Sequence, residues 1–524
     1  MEHFVSLSGI GPAGMIATMV ATWLGYRLLV MLYNVSPLHP LSPIPGPKMA
    51  AASYLPEFYY DVICLGRYTT KIREIHEKYG PLVRINPDEV HCSDPCFADE
   101  IYAVGGRKRN KTLHQVNAIP VGNKTEFATT DHDLHRTRRT PVAKFFSRSA
   151  TMSLEHEIAA HAQRLCDKIL AEGGQGSPFD LTIAYSNLST DVISGYCFGE
   201  SFGESFNLLE KPGWSANFRQ PNLSTLKYWF LFRFFPSLKN LTKLGVWFID
   251  YLPPDIALFV QTMQVDIPKL VTKTINNLNA GIVYPRPVLV GALIGSSLSE
   301  EEKAPERISA ETLSILGAGT ETTAWCLSVM TYHILTNPEI FENLTHELKE
   351  AVPDSQRLPH WATLEKLPYL SGVIQEGLRL SYGVAGRTAR VPTDEDLVYR
   401  GGRQDKSIRY VIPRGYAIGM SAFVSHHDET LFPESTKFQP ERWFDPQNRK
   451  ELDRGFLSFS KGSRACLGMN LGLCELYLAT AALTLRVFPH MRLYETSEED
   501  VRYDWETLVP MPKRESLGVR AKII

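Results

Sequence analysis

From Phe4 to Tyr26 the chain reads FVSLSGIGPAGMIATMVATWLGY, without one charged side chain. A water-facing surface cannot carry such a stretch, so it needs lipid or the centre of a core. At about 1.5 Å per residue it is long enough to cross a hydrocarbon layer of about 30 Å. Gly11, Pro12 and Gly14 are compatible with a helix in lipid. Glu2 precedes the run and Arg27 follows it. The basic flank marks the cytoplasmic side, so the body is expected there. A cleaved leader would have a shorter apolar region behind positive charge, and a buried helix is the other alternative. The expectation is a single-pass anchor over residues 1–35. SPLHPLSPIPGPK follows over residues 36–48. Its prolines fix φ and remove amide donors, so a hinge in the form of a semi-rigid extended strut is expected.

Residues 49–524 show no repeat, low-complexity tract or long Gly/Ser linker, and one large domain is expected. The chain has 524 residues, 44% of them hydrophobic, which argues against disorder. A net charge of -2 gives no ground for binding nucleic acid. Eight cysteines are scattered without a C-x-x-C pair, as in a reducing compartment rather than a disulfide framework. The fold class expected is mainly α with smaller β-sheets. GPLVRINPDEVHCS, from Gly80 to Ser93, reads as a hairpin turning at Asn-Pro-Asp. Residues 152–172 have helical periodicity. The aromatic stretch from Phe218 to Leu241 reads equally as a core helix or an apolar entrance touching the membrane.

A longer helix is expected from Ile308 to Asn337, stopping before Pro338. Its middle, LGAGTETT, carries Gly317 and Gly319, each costing about 1 kcal/mol against Ala. Glycines there leave room for a small ligand, and Thr hydroxyls can bond one turn back and bend the axis. A locally opened helix offering Glu321 and Thr322 is one reading, and a kinked core helix the other. Glu376 and Arg379 share a helix face, and Arg442 in FQPERW can complete a buried Glu-Arg-Arg cluster.

FSKGSRACLG, from Phe459 to Gly468, precedes an apolar helical run. Cys466 at a helix start meets free N–H groups that favour a thiolate. Gly462 and Gly468 allow close approach to a flat ligand, Phe459 supplies an aromatic wall, and Arg464 can bind a carboxylate. One thiolate does not complete a zinc or iron–sulfur site. It can be the axial ligand of haem iron.

These segments resemble the cytochromes P-450, the haem-thiolate monooxygenases. FSKGSRACLG is similar to the family's signature, AGTETT to its oxygen-groove helix, EGLR to its E-x-x-R, and PERW to its P-E-R-F with Trp443 for Phe. HEKYGPLVRINPDEVHCSDP and DHDLHRTRRTPVAKFFS resemble fungal endomembrane members of secondary metabolism such as trichodiene oxygenase. The resemblance implies the P-450 fold and haem b (iron protoporphyrin IX) held by Cys466. Arg464 and Arg390 would contact its propionates. In the family's W-x-x-x-R helix His135 stands for Trp, with Arg139 as partner, while Arg138 fits another register. Glu321 and Thr322 would be the acid and alcohol of proton delivery, and Glu376, Arg379 and Arg442 a structural cluster. The implied reaction is hydroxylation or epoxidation of a hydrophobic terpenoid, polyketide or alkaloid with O2. Electrons would come from NADPH through a separate NADPH–cytochrome P-450 reductase, with cytochrome b5 as a further donor. The implied place is the endoplasmic reticulum membrane, facing the cytoplasm. The alternatives are a haem-thiolate isomerase or dehydratase, and a non-catalytic haem sensor. The substrate is expected against residues 110–130, 218–241, 315–322, 382–387 and 508–511, read as largely apolar.

Overall fold

The computed structural model describes residues 11–119, 124–173, 176–199, 206–226, 228–401 and 408–524. Glu2, the start of the apolar run, residues 120–123 of the expected substrate wall and residue 227 lie outside them. Helix α1, Pro12–Val35, has no acidic residue in its first turn and no basic one in its last. Met19, Trp23, Leu28 and Leu32 along it are all exposed. Among the described residues it is the one helix long and apolar enough to cross a membrane. Its 24 residues span about 36 Å, which is compatible with membrane anchoring.

The proline segment differs from the extended strut expected of it. It folds into successive turns, with N–H groups of His39, Ser42 and Ile44 donating to carbonyls three residues back at 2.9–3.2 Å. The prolines lack donors but keep their carbonyls, and the residues between them close the turns. Leu41 and Ile44 are thereby buried with Leu82 and Val90. Arg84 Nη1 donates to the Asn34 carbonyl at 2.8 Å, tying the end of α1 to the body.

The expected hairpin is present. Strands β1 (Leu82–Asn86) and β2 (Glu89–Cys92) pair antiparallel, Leu82 opposite Cys92. Two-residue strands β3 (Arg109–Asn110) and β4 (Val391–Pro392) pair antiparallel, with Asn110 opposite Val391. This brings the chain at Lys111 to the chain at Arg390. Strand β5 (Ala417–Gly419) runs parallel to β2.

Helices supply the rest of the frame. Helix α2 (His132–Phe145) is capped by Asp131, whose side chain accepts from Leu134 N. Helix α3 (Arg148–Gly173) slightly extends its periodic stretch, and α4 (Leu181–Phe198) is buried on nearly every side. The aromatic stretch is divided. Helix α5 (Arg219–Leu226) buries Pro221 and Leu226 and helix α6 (Trp229–Phe234) buries Phe230, whereas Tyr228, Phe235 and Leu241 are exposed. Helix α7 (Pro305–Thr336) starts with proline at N1, where no amide partner is needed, and ends before Pro338. Helices α8 (Pro368–Ser381) and α9 (Met469–Arg486) complete the frame. Helix α7 packs along α4 and against α8 and α9, and α9 packs on α3. One apolar core joins α3, α4, α7, α8 and α9. Each fully buried Leu, Ile or Phe in it contributes about 1.5–3 kcal/mol, enough to hold α7 and α9 as rigid walls.

Candidate functional site

The loop from Phe459 to Gly468 is closed by Cys466 N donating to the Phe459 carbonyl at 2.8 Å. Gly462 has φ +75°, and a Cβ there would run into the Tyr102 carbonyl. A short 3-10 turn, Gly462–Arg464, then places Cys466 just ahead of α9. Burial pushes the Cys466 thiol up, and the backbone N–H of Gly468 opposes it. Cys466 is nevertheless exposed by surface area. A thiol surrounded by protein and still accessible is open to a ligand.

Helix α7 packs against α9 beside this loop. Ala318 is exposed although Leu316 and Thr320 beside it are buried. The two glycines expected to make room do different things. A Cβ on Gly317 would meet nothing within 4 Å, whereas one on Gly319 would lie 3.0 Å from Ile193 Cγ1. Gly317 borders open space, and Gly319 lets α4 approach. A Cβ on Gly472 would lie 3.7 Å from Thr323 Oγ1, so α7 and α9 adjoin here. The helix runs unbroken through this region rather than opening. Thr322 Oγ1 donates to the Ala318 carbonyl at 2.8 Å, which leaves the ladder intact. Thr322 thus shares a helix face with Ala318. Glu321 points elsewhere: it is buried and ion-paired with Arg219 of α5. Burial pushes its carboxyl up and Arg219 opposes this. Its Oε1 is buried without a partner.

Cations gather beside the cysteine loop. Arg390 is buried and donates to the carbonyls of Thr388 and Ala389 at 3.2 and 3.0 Å. Arg139 Nη2 donates to the Ala465 carbonyl at 2.7 Å, and Nη1 to Glu126 Oε1 at 2.8 Å. Arg138 pairs with Glu302 at 2.7 Å and donates to Thr129 Oγ1 at 2.9 Å. His135 Nε2 lies 2.6 Å from the same Glu126 oxygen. Lys111 donates to the Phe127 carbonyl. Burial pushes its ammonium well down, and Arg390, Arg464 and Arg139 add to this. Arg464 donates to the carbonyls of Arg109, Thr129, Thr130 and Asp131 at 2.7–3.3 Å. It stitches the cysteine loop to the chain around β3 and the start of α2.

The structure brings Glu376, Arg379 and Arg442 together. Arg379 grips Glu376 bidentately at 2.9 and 2.7 Å. Arg442 Nε donates to Glu376 Oε1 at 3.0 Å. Trp443, standing where Phe is usual, adds an Nε1–H bond to Oε2 at 2.9 Å. Burial would raise the Glu376 carboxyl, but Arg379, Arg442 and the Gln439 N–H together hold the group below its ordinary value. Arg379 also binds the carbonyls of His426, Ser435 and Lys437, and His426 accepts from Leu457 N at 2.8 Å. The cluster therefore fixes the chain entering the cysteine loop. Phe459 is half-buried and packs on the core.

Three contributors escaped the sequence reading. Lys111 sits in a basic run, RKRNK, where nothing singles it out, and neither Glu126 nor Arg219 belongs to a motif. The expectation that 382–387 is apolar also fails at its end. Arg387 is buried against Glu57, Asp61 and Glu89, with Arg233 of α6 on Glu57 and Asp61 at 3.2 and 2.7 Å.

The chemistry of this donor set fits a haem. One accessible thiol sits ahead of α9, which adjoins α7, and the basic groups around its loop suit the two carboxylates of a porphyrin. Burial and the neighbouring arginines disfavour the charged form of Lys111, which an added carboxylate would favour again. Residues 62–517 match the family model described as Cytochrome P450. The chain is 42% identical to cytochrome P450 monooxygenase ppzE of Metarhizium majus, over 83% of this chain and 92% of that protein. It is 37% identical to tpcC of Cochliobolus heterostrophus, over 93% of each. It is 34% identical to TRI4 of Trichoderma arundinaceum, over 99% of this chain and 98% of that protein. Both are likewise described as cytochrome P450 monooxygenases.

Proposed function

This chain belongs to the cytochrome P450 family and is a monooxygenase of it, and from that premise we propose that it hydroxylates or epoxidises a hydrophobic fungal secondary metabolite. Its electrons come from NADPH through a separate reductase. Helix α1 anchors it in the endoplasmic reticulum membrane with the body on the cytoplasmic side, as the basic flank at Arg27 favours. The observation that carries the reading is the accessible Cys466 just ahead of α9, with α7 and its Thr322 packed against that helix and basic groups around the cysteine loop.

When bound, the haem supplies dioxygen activation and transfer of one oxygen atom to the substrate. Cys466 holds its iron as a thiolate, which the metal, the Gly468 N–H and the start of α9 favour over the thiol. Arg139, Arg390 and Lys111 hold the propionates. Arg464 braces the loop from behind through its four carbonyls. Thr322 passes protons at its hydroxyl. Glu321 supplies them from its carboxyl once it parts from Arg219. Its raised affinity for a proton and its unpartnered Oε1 suit that task.

Thr322→Ala is expected to lower product formation by about 10²-fold while NADPH oxidation continues. Thr322→Ser, which keeps the hydroxyl, should restore most of it. Simultaneous measurement of NADPH consumed and product formed checks this, and unchanged coupling in the alanine variant would contradict it. The function itself is tested by co-expression with a reductase and product profiling under labelled dioxygen. One labelled oxygen atom in the product supports monooxygenation. A rearranged or dehydrated product without label would identify an isomerase or dehydratase. Reductant use unchanged by every candidate substrate would favour a sensor.

A further inference from the structure

We propose that Glu126 is a positioning residue that sets the charge at the propionate end of the site, holding Arg139 and His135 in place and stabilising the ferric over the ferrous iron. The inference rests on the haem reading given above.

The geometry is convergent. One oxygen, Glu126 Oε1, is shared by Arg139 Nη1 at 2.8 Å and His135 Nε2 at 2.6 Å. The other end of the Arg139 fork grips the carbonyl of Ala465, the residue before Cys466. Glu126 is thus one residue removed from the loop that carries the iron ligand. It is also anchored from behind. Its backbone N–H donates to both oxygens of Glu311 on α7, at 3.2 and 3.0 Å. Glu311 is itself paired with Arg307 at 2.6 Å. Helix α2 therefore holds the carboxylate of Glu126, and α7 holds its backbone.

Its charge is fixed as well as its place. Burial would raise the carboxyl, but His135 and Arg139 outweigh burial and keep it ionised. Burial pushes His135 down to about 4, so the imidazole adds no charge and Glu126 is the anion that offsets Arg139. Glu126 also acts electrostatically on Lys111, Arg390 and Arg464 together. A buried anion in a poorly screened site favours the more positive oxidation state of a nearby metal, and residues beyond the ligand shell tune iron in this way.

The test is a spectroelectrochemical titration of the full-length holoprotein and three variants, with haem content measured in parallel. Glu126→Gln and the smaller Glu126→Ser remove the charge, and Glu126→Asp keeps it. The midpoint is expected to shift positive in both neutral variants and to return towards the wild-type value in Glu126→Asp. Loss of haem from both neutral variants, with haem kept by Glu126→Asp, would support the same role. An unchanged midpoint in a haem-replete neutral variant would overturn the proposal, as would equal effects of all three substitutions. A wild-type protein without haem would overturn the functional reading instead, so the two failures are distinguishable.

Discussion

Replacing Cys466 by serine is expected to remove the red-shifted absorption band of the ferrous carbon monoxide complex and to abolish product formation. Serine nearly matches cysteine in shape, so Cys466 N can still close the loop onto the Phe459 carbonyl. The Glu376 cluster that fixes the approach to the loop is untouched. What the substitution removes is the thiolate, whose electron donation gives this class of iron site its spectrum and reactivity. Optical spectra of the reduced protein under carbon monoxide, with melting curves alongside, separate loss of the ligand from loss of the fold. A serine variant with the band intact would show that another group holds the iron.

The second large effect is expected at Glu376. Arg379 is fully buried and Arg442 nearly so, and both rest on this one carboxylate with Trp443. Glu376→Ala leaves two guanidinium groups buried without their anion. Breaking a buried pair in this way costs about 3–5 kcal/mol, a large part of a typical stability of about 5–15 kcal/mol. The variant should therefore accumulate poorly and retain little haem. Arg379→Lys should give no more than partial recovery, since an ammonium cannot reproduce the bidentate grip or reach the three carbonyls that Arg379 binds. Yield, haem content and thermal melting of the purified variants check this. Wild-type melting in Glu376→Ala would mean that the cluster does not hold the cysteine loop.

Much of this site could be read from the chain because its chemistry is written in short spacings. The cysteine loop, the Glu-Thr pair and Glu376 with Arg379 each lie within ten residues. Proline punctuation gave the end of α7, and Asn-Pro-Asp gave the turn between β1 and β2. What escaped depends on partners far away in the chain. Gly317 and Gly319 look alike in sequence, and only Ile193 on α4 makes the second a packing residue. Arg464 carries the expected charge, but the carbonyls around Thr129 take most of its donors. The β3–β4 pairing brings Lys111 beside Arg390 across some 280 residues of chain. The turns of the proline segment follow from Leu41 and Ile44 finding a core, which local proline geometry does not reveal.

The most direct measurement is the porphyrin content of the full-length protein, purified gently and reduced under carbon monoxide. One haem per chain, with the red-shifted band of a sulfur-ligated iron, is the predicted result. A colourless preparation that stays folded, or a haem whose carbon monoxide complex lacks that band, would contradict a Cys466-ligated site.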